Sequence, residues 1–267
     1  MPKPVRKAIV PTAGLGTRLY PVTRTVPKEL LPIGSVPMLH RAIAELVRGD
    51  VREIAIIVTS RKTAIQDYVS TLDLDCTVYF VEQPEPRGVA DAILRAGEFL
   101  ADDPFVFFMP DEVCFCPTSP VTALKQVYAT YDKSVLGLTW VPPQWLEFFQ
   151  GTGRIVTAPL KNDCYRILQL KDKSRDRLST SPTGQQKGVG IGILDGEFLA
   201  LARQQQQMFD GQGEFDDVPI WQELVRRKRL LGVMADGAIV DAGNPLGFGL
   251  ANRYWLETGR QFSDKYC

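Results

Sequence analysis

Histidine is almost absent from this chain of 267 residues, with His40 the single one. Cysteine is scarce too, at positions 76, 114, 116, 164 and 267. An odd, scattered set of five does not make a disulfide framework. Cys114 and Cys116 stand one residue apart, closer than the usual metal-binding pairs. Together these shortages exclude a zinc centre, and the thiols read as reduced and structural, as in a cytoplasmic protein. An excess of charge is also missing, because 31 Lys and Arg balance 31 Asp and Glu. A neutral chain has no overall electrostatic pull toward nucleic acid or an anionic membrane, so any anion site has to be local. No apolar run is long enough to cross a bilayer, and the short run that follows residues 1–7 is too brief for a signal peptide.

What the chain does have is an ordinary globular make-up, 45% apolar and 23% charged, and a length that buries a substantial core. Its first half alternates two patterns. Apolar, β-branched or aromatic runs at 8–10, 53–59, 77–82, 105–109 and 134–140 read as strands. Residues 37–48, 63–72, 89–100 and 121–131 read as helices, the first with Met38, Leu39, Ile43, Leu46 and Val47 as its apolar stripe. Such alternation predicts right-handed βαβ units and an α/β, Rossmann-like, doubly wound sheet, mixed but mostly parallel. The rhythm changes near residue 141. Strands at 153–158, 165–171 and 188–194 predict a small antiparallel cap over one end of the sheet, with an exposed loop at 179–186. Helices at 197–207 and 217–227, a strand at 238–240 and a last helix at 246–260 complete one domain over 1–267. The change of rhythm divides it into 1–140 and 141–267, the second half ending in the C-terminal helix.

The densest chemistry follows the first strand. In Ala13-Gly14-Leu15-Gly16-Thr17-Arg18 the glycines let the backbone turn tightly and bring its N–H groups to an anion. Arg18 adds a planar, permanently charged fork, and Pro27-Lys28-Glu29 supplies a second cation ten residues on. Two common phosphate loops are nevertheless excluded. The dinucleotide fingerprint needs a small residue where Leu19 stands, and no Gly-Lys-Ser/Thr is present for a Walker loop. Asp111 follows an aromatic strand and so opens onto the crevice where α/β sheets bind ligands. His40, on the helix after the loop, reads as structural.

The strings Pro11-Thr12-Ala13-Gly14-Leu15-Gly16-Thr17-Arg18-Leu19-Tyr20-Pro21 and Val26-Pro27-Lys28-Glu29-Leu30-Leu31-Pro32 closely resemble the signature of bacterial UTP–glucose-1-phosphate uridylyltransferases. These belong to the sugar-1-phosphate nucleotidyltransferases, and the resemblance continues along nearly the whole chain. It implies that Gly14, Gly16, Thr17, Arg18 and Lys28 hold the triphosphate, and that Ala13, Glu29, Gln83 and Gly88 lie on the base side. It implies Mg²⁺ on Asp111 and Asp241. It implies sugar contacts from Gly153, Asp172, Lys173 and Gly190, with Asp172-Lys173-Ser174 standing where the family has Glu-Lys-Pro, and so a nucleotide-binding half over 1–140 and a sugar-binding half, with the sugar-binding cap, over 141–267. The catalytic set is then Arg18, Lys28, Asp111 and Lys173, acting on UTP and glucose 1-phosphate without a protein nucleophile. A homo-oligomer is also implied, although residues 60–81, where family helices take part in subunit contacts, form a shorter segment here. Alternatives are a thymidylyltransferase or another nucleotidyltransferase of the same fold, and a non-catalytic sugar-nucleotide sensor on the same scaffold.

Overall fold

A computed structural model describes residues 2–149, 154–161, 163–171 and 183–258. The chain opens with β1 (Lys7–Pro11), followed by the long loop and a two-residue hairpin, β2 (Pro32–Ile33) with β3 (Val36–Pro37). Next come α1 (Met38–Arg48), β4 (Glu53–Val58), α2 (Thr63–Ser70), β5 (Thr77–Glu82), α3 (Val89–Arg95) and α4 (Gly97–Leu100). After these lie β6 (Phe105–Phe108), β7 (Glu112–Phe115), α5 (Pro120–Tyr131) and β8 (Ser134–Val141). The second half holds β9 (Ile155–Pro159), β10 (Cys164–Leu170), β11 (Gln185–Leu194), α6 (Gly196–Met208) and α7 (Val218–Arg226). It closes with β12 (Leu230–Met234), β13 (Ala238–Asp241) and α8 (Pro245–Thr258).

Among the described residues nine strands form one sheet in the order β5-β4-β1-β6-β11-β8-β12-β10-β9. Only β11 and β10 run against the other seven. The sheet is therefore mixed and mostly parallel, as the alternation predicts. The antiparallel strands β9 and β10 continue it at one edge, and β7 and β13 form a separate antiparallel ribbon.

Period-two alternation divides the core between two faces. Ala8 and Val10 of β1, Ile54 and Ile56 of β4, and Val106 and Phe108 of β6 pack on one side with Leu39, Ile43 and Leu46 of α1 and Leu124 of α5. Ile9, Ala55, Ile57, Phe105 and Phe107 face the other way, onto Ile93 of α3, Phe198 of α6 and Trp221 of α7. Strands covered on both faces explain the unbroken apolar runs. A third cluster, with Leu19, Leu31, Phe115, Val240 and Leu250, seats the long loop against the β7–β13 ribbon and α8.

Helix starts follow their sequence signals. Ser119 caps α5 by accepting from the Val121 N–H at 3.3 Å, with Pro120 in the first turn. The Asp195 carboxylate caps α6 by accepting from Glu197 and Phe198.

Several boundaries differ from expectation. The helix predicted over 89–100 is two, with the geometry lapsing at Ala96. Residues 185–186, predicted as loop, belong to β11. Strands β7 and β12 are additional. No disulfide joins the four described cysteines, and no described helix is long and apolar enough to cross a membrane.

Candidate active site

The loop after β1 is tied down at both ends. The Thr12 N–H and hydroxyl both donate to the Ile57 carbonyl, at 2.9 and 2.7 Å, fixing the loop's start to β4. Gly16 sits at φ +67°, and its carbonyl accepts from the Thr23 hydroxyl at 2.7 Å. Underneath runs Lys62, whose ammonium donates to the carbonyls of Thr12 and Gly14 at 2.6 Å each and to Glu29 at 3.0 Å. Gly14, Thr17 and Arg18 lie on the exposed side of the loop, whereas Ala13 and Glu29 are buried. Burial drives the Glu29 carboxyl upward against the pull of Lys62 and Lys28, and it drives the Lys62 ammonium downward.

The predicted cations and carboxylates meet at the carboxyl end of β1 and β6. Lys28 Nζ donates to Asp111 Oδ2 at 2.8 Å, and both side chains are nearly inaccessible. Burial alone would raise the Asp111 carboxyl, but Lys28 and Arg18 hold it below the usual carboxylate range. Arg18 stands 4.0 Å from both Asp111 and Asp241, half-exposed and reaching over the two carboxylates. The ribbon brings Asp241 here, because β13 pairs with β7 and Ala242 donates to the Asp111 carbonyl at 2.8 Å. The following Gly243 is required, since a Cβ there would fall 2.2 Å from Asp111 Oδ2.

Of the four residues predicted for the base side, Ala13 and Glu29 belong to the loop after β1, and Gln83 and Gly88 lie on a neighbouring loop. Gln83, at the end of β5, donates from its amide to the Gly88 carbonyl at 3.1 Å and to Asp91 at 2.7 Å. Gly88 takes φ +104°, and a Cβ would meet the Phe215 carbonyl at 2.4 Å. Gly190 lies with Asp111 and Asp241 in the wall of a cavity of about 350 Å³. Gly153, Asp172 and Lys173 lie outside the described residues.

Sequence reasoning missed Lys62 and three cavity residues, Glu112, Lys187 and Trp221. Glu112 immediately follows Asp111, and successive residues entering a strand point to opposite sides. Asp111 therefore faces Lys28 while Glu112 faces Lys187 and the Gly190 N–H. Trp221 had a signal as a helix aromatic, but nothing local marks Lys187.

Among the described residues no three His, Cys, Asp or Glu side chains gather as a metal cage. Mg²⁺ does not need one. It keeps several waters and takes one or two carboxylates together with substrate phosphates. Two buried carboxylates beneath Arg18 are the hard oxygen donors such an ion uses, so Asp111 and Asp241 fit it by number and chemistry.

Residues 7–147, more than half of the chain, match the nucleotidyl transferase family. The chain belongs to that family. This nucleotidyltransferase is similar to the UTP–glucose-1-phosphate uridylyltransferase of Bacillus subtilis (strain 168), at 26% identity, over 92% of the chain and 89% of the relative. It is likewise similar to the UTP–glucose-1-phosphate uridylyltransferase of Staphylococcus haemolyticus (strain JCSC1435), at 27% identity over 92% and 90%. A crystal structure of UDP-glucose pyrophosphorylase complexed with UDP-glucose shares the fold, with a TM-score of 0.80 and 22% identity over 95% of this chain and 99% of that one.

Proposed function

We propose that this nucleotidyltransferase transfers the uridylyl group of UTP to glucose 1-phosphate, giving UDP-glucose and pyrophosphate. The observation that carries the reading is the meeting of Arg18, Lys28, Asp111 and Asp241 at the mouth of one cavity, in a chain whose curated relatives are named for this reaction. An oxygen of the sugar phosphate attacks the α-phosphorus in line. As that P–O bond forms, the bond to the bridging oxygen of pyrophosphate breaks, and its electron pair leaves with pyrophosphate. The attacking oxygen is already anionic, so no protein nucleophile or general base is required.

The task left to the chain is to hold two anions in line and offset their repulsion. Loop N–H groups at Gly14, Gly16 and Thr17 cradle the triphosphate, and Arg18 and Lys28 take up charge on the departing pyrophosphate. Lys62, anchored by Glu29 beneath the loop, holds the Thr12 and Gly14 carbonyls inward so that the loop's amides face the ligand. Gln83 and Gly88 shape the base side, while Gly153, Asp172, Lys173 and Gly190 serve the sugar phosphate. Asp111 and Asp241 would hold Mg²⁺, which when bound supplies charge stabilisation at the α-phosphate. The same reading takes the chain as a single domain with nucleotide and sugar halves, working in the cytoplasm as a homo-oligomer.

Pyrophosphate release with Mg²⁺ tests this, with UTP, dTTP, CTP, ATP and GTP each offered against glucose 1-phosphate and then other sugar phosphates. Release that needs UTP and glucose 1-phosphate together is the expected result. Preference for dTTP would move the assignment to thymidylyl transfer. Silence with every pair, alongside nucleotide binding, would favour a sensor.

A further inference from the structure

The cavity behind Asp111 contains an ion pair that the transfer chemistry does not use. Lys187, on β11, and Glu112, on β7, are each more than nine-tenths buried, and both line the cavity. Their approach is loose. Lys187 Nζ lies 3.4 Å from Glu112 Oε1, longer than the 2.7–2.9 Å of a well-made charged hydrogen bond. Glu112 Oε1 already accepts from the Gly190 N–H at 2.9 Å, and Glu112 Oε2 has no partner at all. Lys187 spends one of its three donors on Glu112 and rests 4.9 Å above the Phe149 ring. A buried pair of this kind is a poor device for stability, since well-packed apolar side chains commonly do as well. An open acceptor beside spare ammonium donors is, however, what a hydroxyl group needs: it donates to one and accepts from the other.

The rest of the cavity suits the same guest. Ile155, Leu170 and Val218 are apolar walls, and Trp221 is held rigid by its indole N–H donating to Asp217 at 2.8 Å. A cavity that combines apolar walls with a polar pair matches a sugar ring, whose C–H surface and hydroxyls face different ways. We propose that Glu112 and Lys187 together read one ring hydroxyl of the incoming sugar 1-phosphate and thereby select a neutral hexose. The pair carries no net charge, so it offers a charged substituent no net attraction to offset the loss of its hydration. This inference rests on the sugar-1-phosphate acceptor reading above and adds the residues that choose the sugar.

The test compares the unaltered enzyme with Glu112→Gln and Lys187→Met. Glu112→Gln keeps the shape and an oxygen for the Gly190 N–H. Pyrophosphate release is measured at saturating UTP with glucose 1-phosphate and its 2-, 3-, 4- and 6-deoxy analogues, and melting curves are recorded for all three proteins. The expected result is that the unaltered enzyme discriminates against one deoxy analogue by about 10- to 100-fold in kcat/KM. Both variants should raise the KM for glucose 1-phosphate about tenfold, leave the KM for UTP unchanged, and lose that discrimination. Unchanged sugar KM and unchanged deoxy discrimination in both variants would overturn the proposal and leave the pair a structural one. If the unaltered enzyme releases no pyrophosphate, the acceptor reading fails separately, and calorimetric titration with glucose 1-phosphate alone then decides. Binding weakened in both variants supports the pair, whereas equal binding or none overturns it.

Discussion

Removing the Lys62 ammonium should cost more stability than its position suggests, and the cost should depend on pH. Lys62→Met leaves three acceptors without their donor: the carbonyls of Thr12 and Gly14 and the carboxylate of Glu29. Gly14 is exposed and regains water. Glu29 is fully buried, and its second oxygen, Oε1, already lacks a partner. An ion left unpaired in such a place costs about 3–5 kcal/mol. Protonation offers Glu29 an escape, because its folded-state carboxyl already lies above the ordinary value through burial. Loss of Lys62 raises it further. A carboxyl whose folded value exceeds its unfolded value lends stability below the unfolded value and loses it as pH rises through the folded one. Within that window stability falls by up to about 1.4 kcal/mol per pH unit. Urea denaturation of Lys62→Met should therefore show a loss of about 3–5 kcal/mol at pH 8 and a smaller loss at pH 6. Adding Glu29→Gln should recover much of the pH 8 deficit, since a neutral amide no longer needs a cation. A double variant no more stable than Lys62→Met, or a deficit independent of pH, would refute the reasoning.

Three further outcomes follow from the same geometry. Asp111→Asn should keep the circular dichroism spectrum of the folded chain while kcat for pyrophosphate release drops about 100-fold or more, and near-normal turnover would remove Asp111 from the metal site. Chelation with EDTA should stop pyrophosphate release and added Mg²⁺ restore it, whereas turnover that persists in EDTA would argue against a metal on Asp111 and Asp241. Gly88→Ala places a Cβ 2.4 Å from the Phe215 carbonyl at φ +104°, a strain of at least about 2 kcal/mol. The melting temperature should fall by about 4–8 °C, with a raised KM for UTP as Gln83 loses the Gly88 carbonyl.

Much of the first half was legible because parallel strands buried on both faces are written as unbroken apolar runs, as Glu53–Val58 is. The strand β12 was not, because it follows Arg226, Arg227, Lys228 and Arg229 and carries Gly232 in its middle. That glycine is a packing requirement, since a Cβ would meet Leu138 at 2.7 Å. In the site, Arg18, Lys28, Asp111 and Asp241 could be named because each sits in a recognisable string. The pairing of Glu112 with Lys187 spans 75 positions and depends on β11 running against β6, a choice of direction that no local pattern records. The role of Lys62 was hidden for a similar reason: its partners are two carbonyls and one carboxylate that meet only once the loop is folded.

The place of β11 also governs how the chain can be divided. It seats between β6 and β8, yet it is synthesised some forty residues after the family-matched stretch ends at 147. A fragment cut at that boundary would leave one edge of β6 and both edges of β8 open, an invitation to pair with other chains. It would also retain Glu112 but not Lys187. Strand β12, which flanks β8 on its other side, would be lost with it. The stretch that identifies the family is thus a unit of descent rather than of folding. A truncated protein made from it should aggregate where the whole chain stays monodisperse.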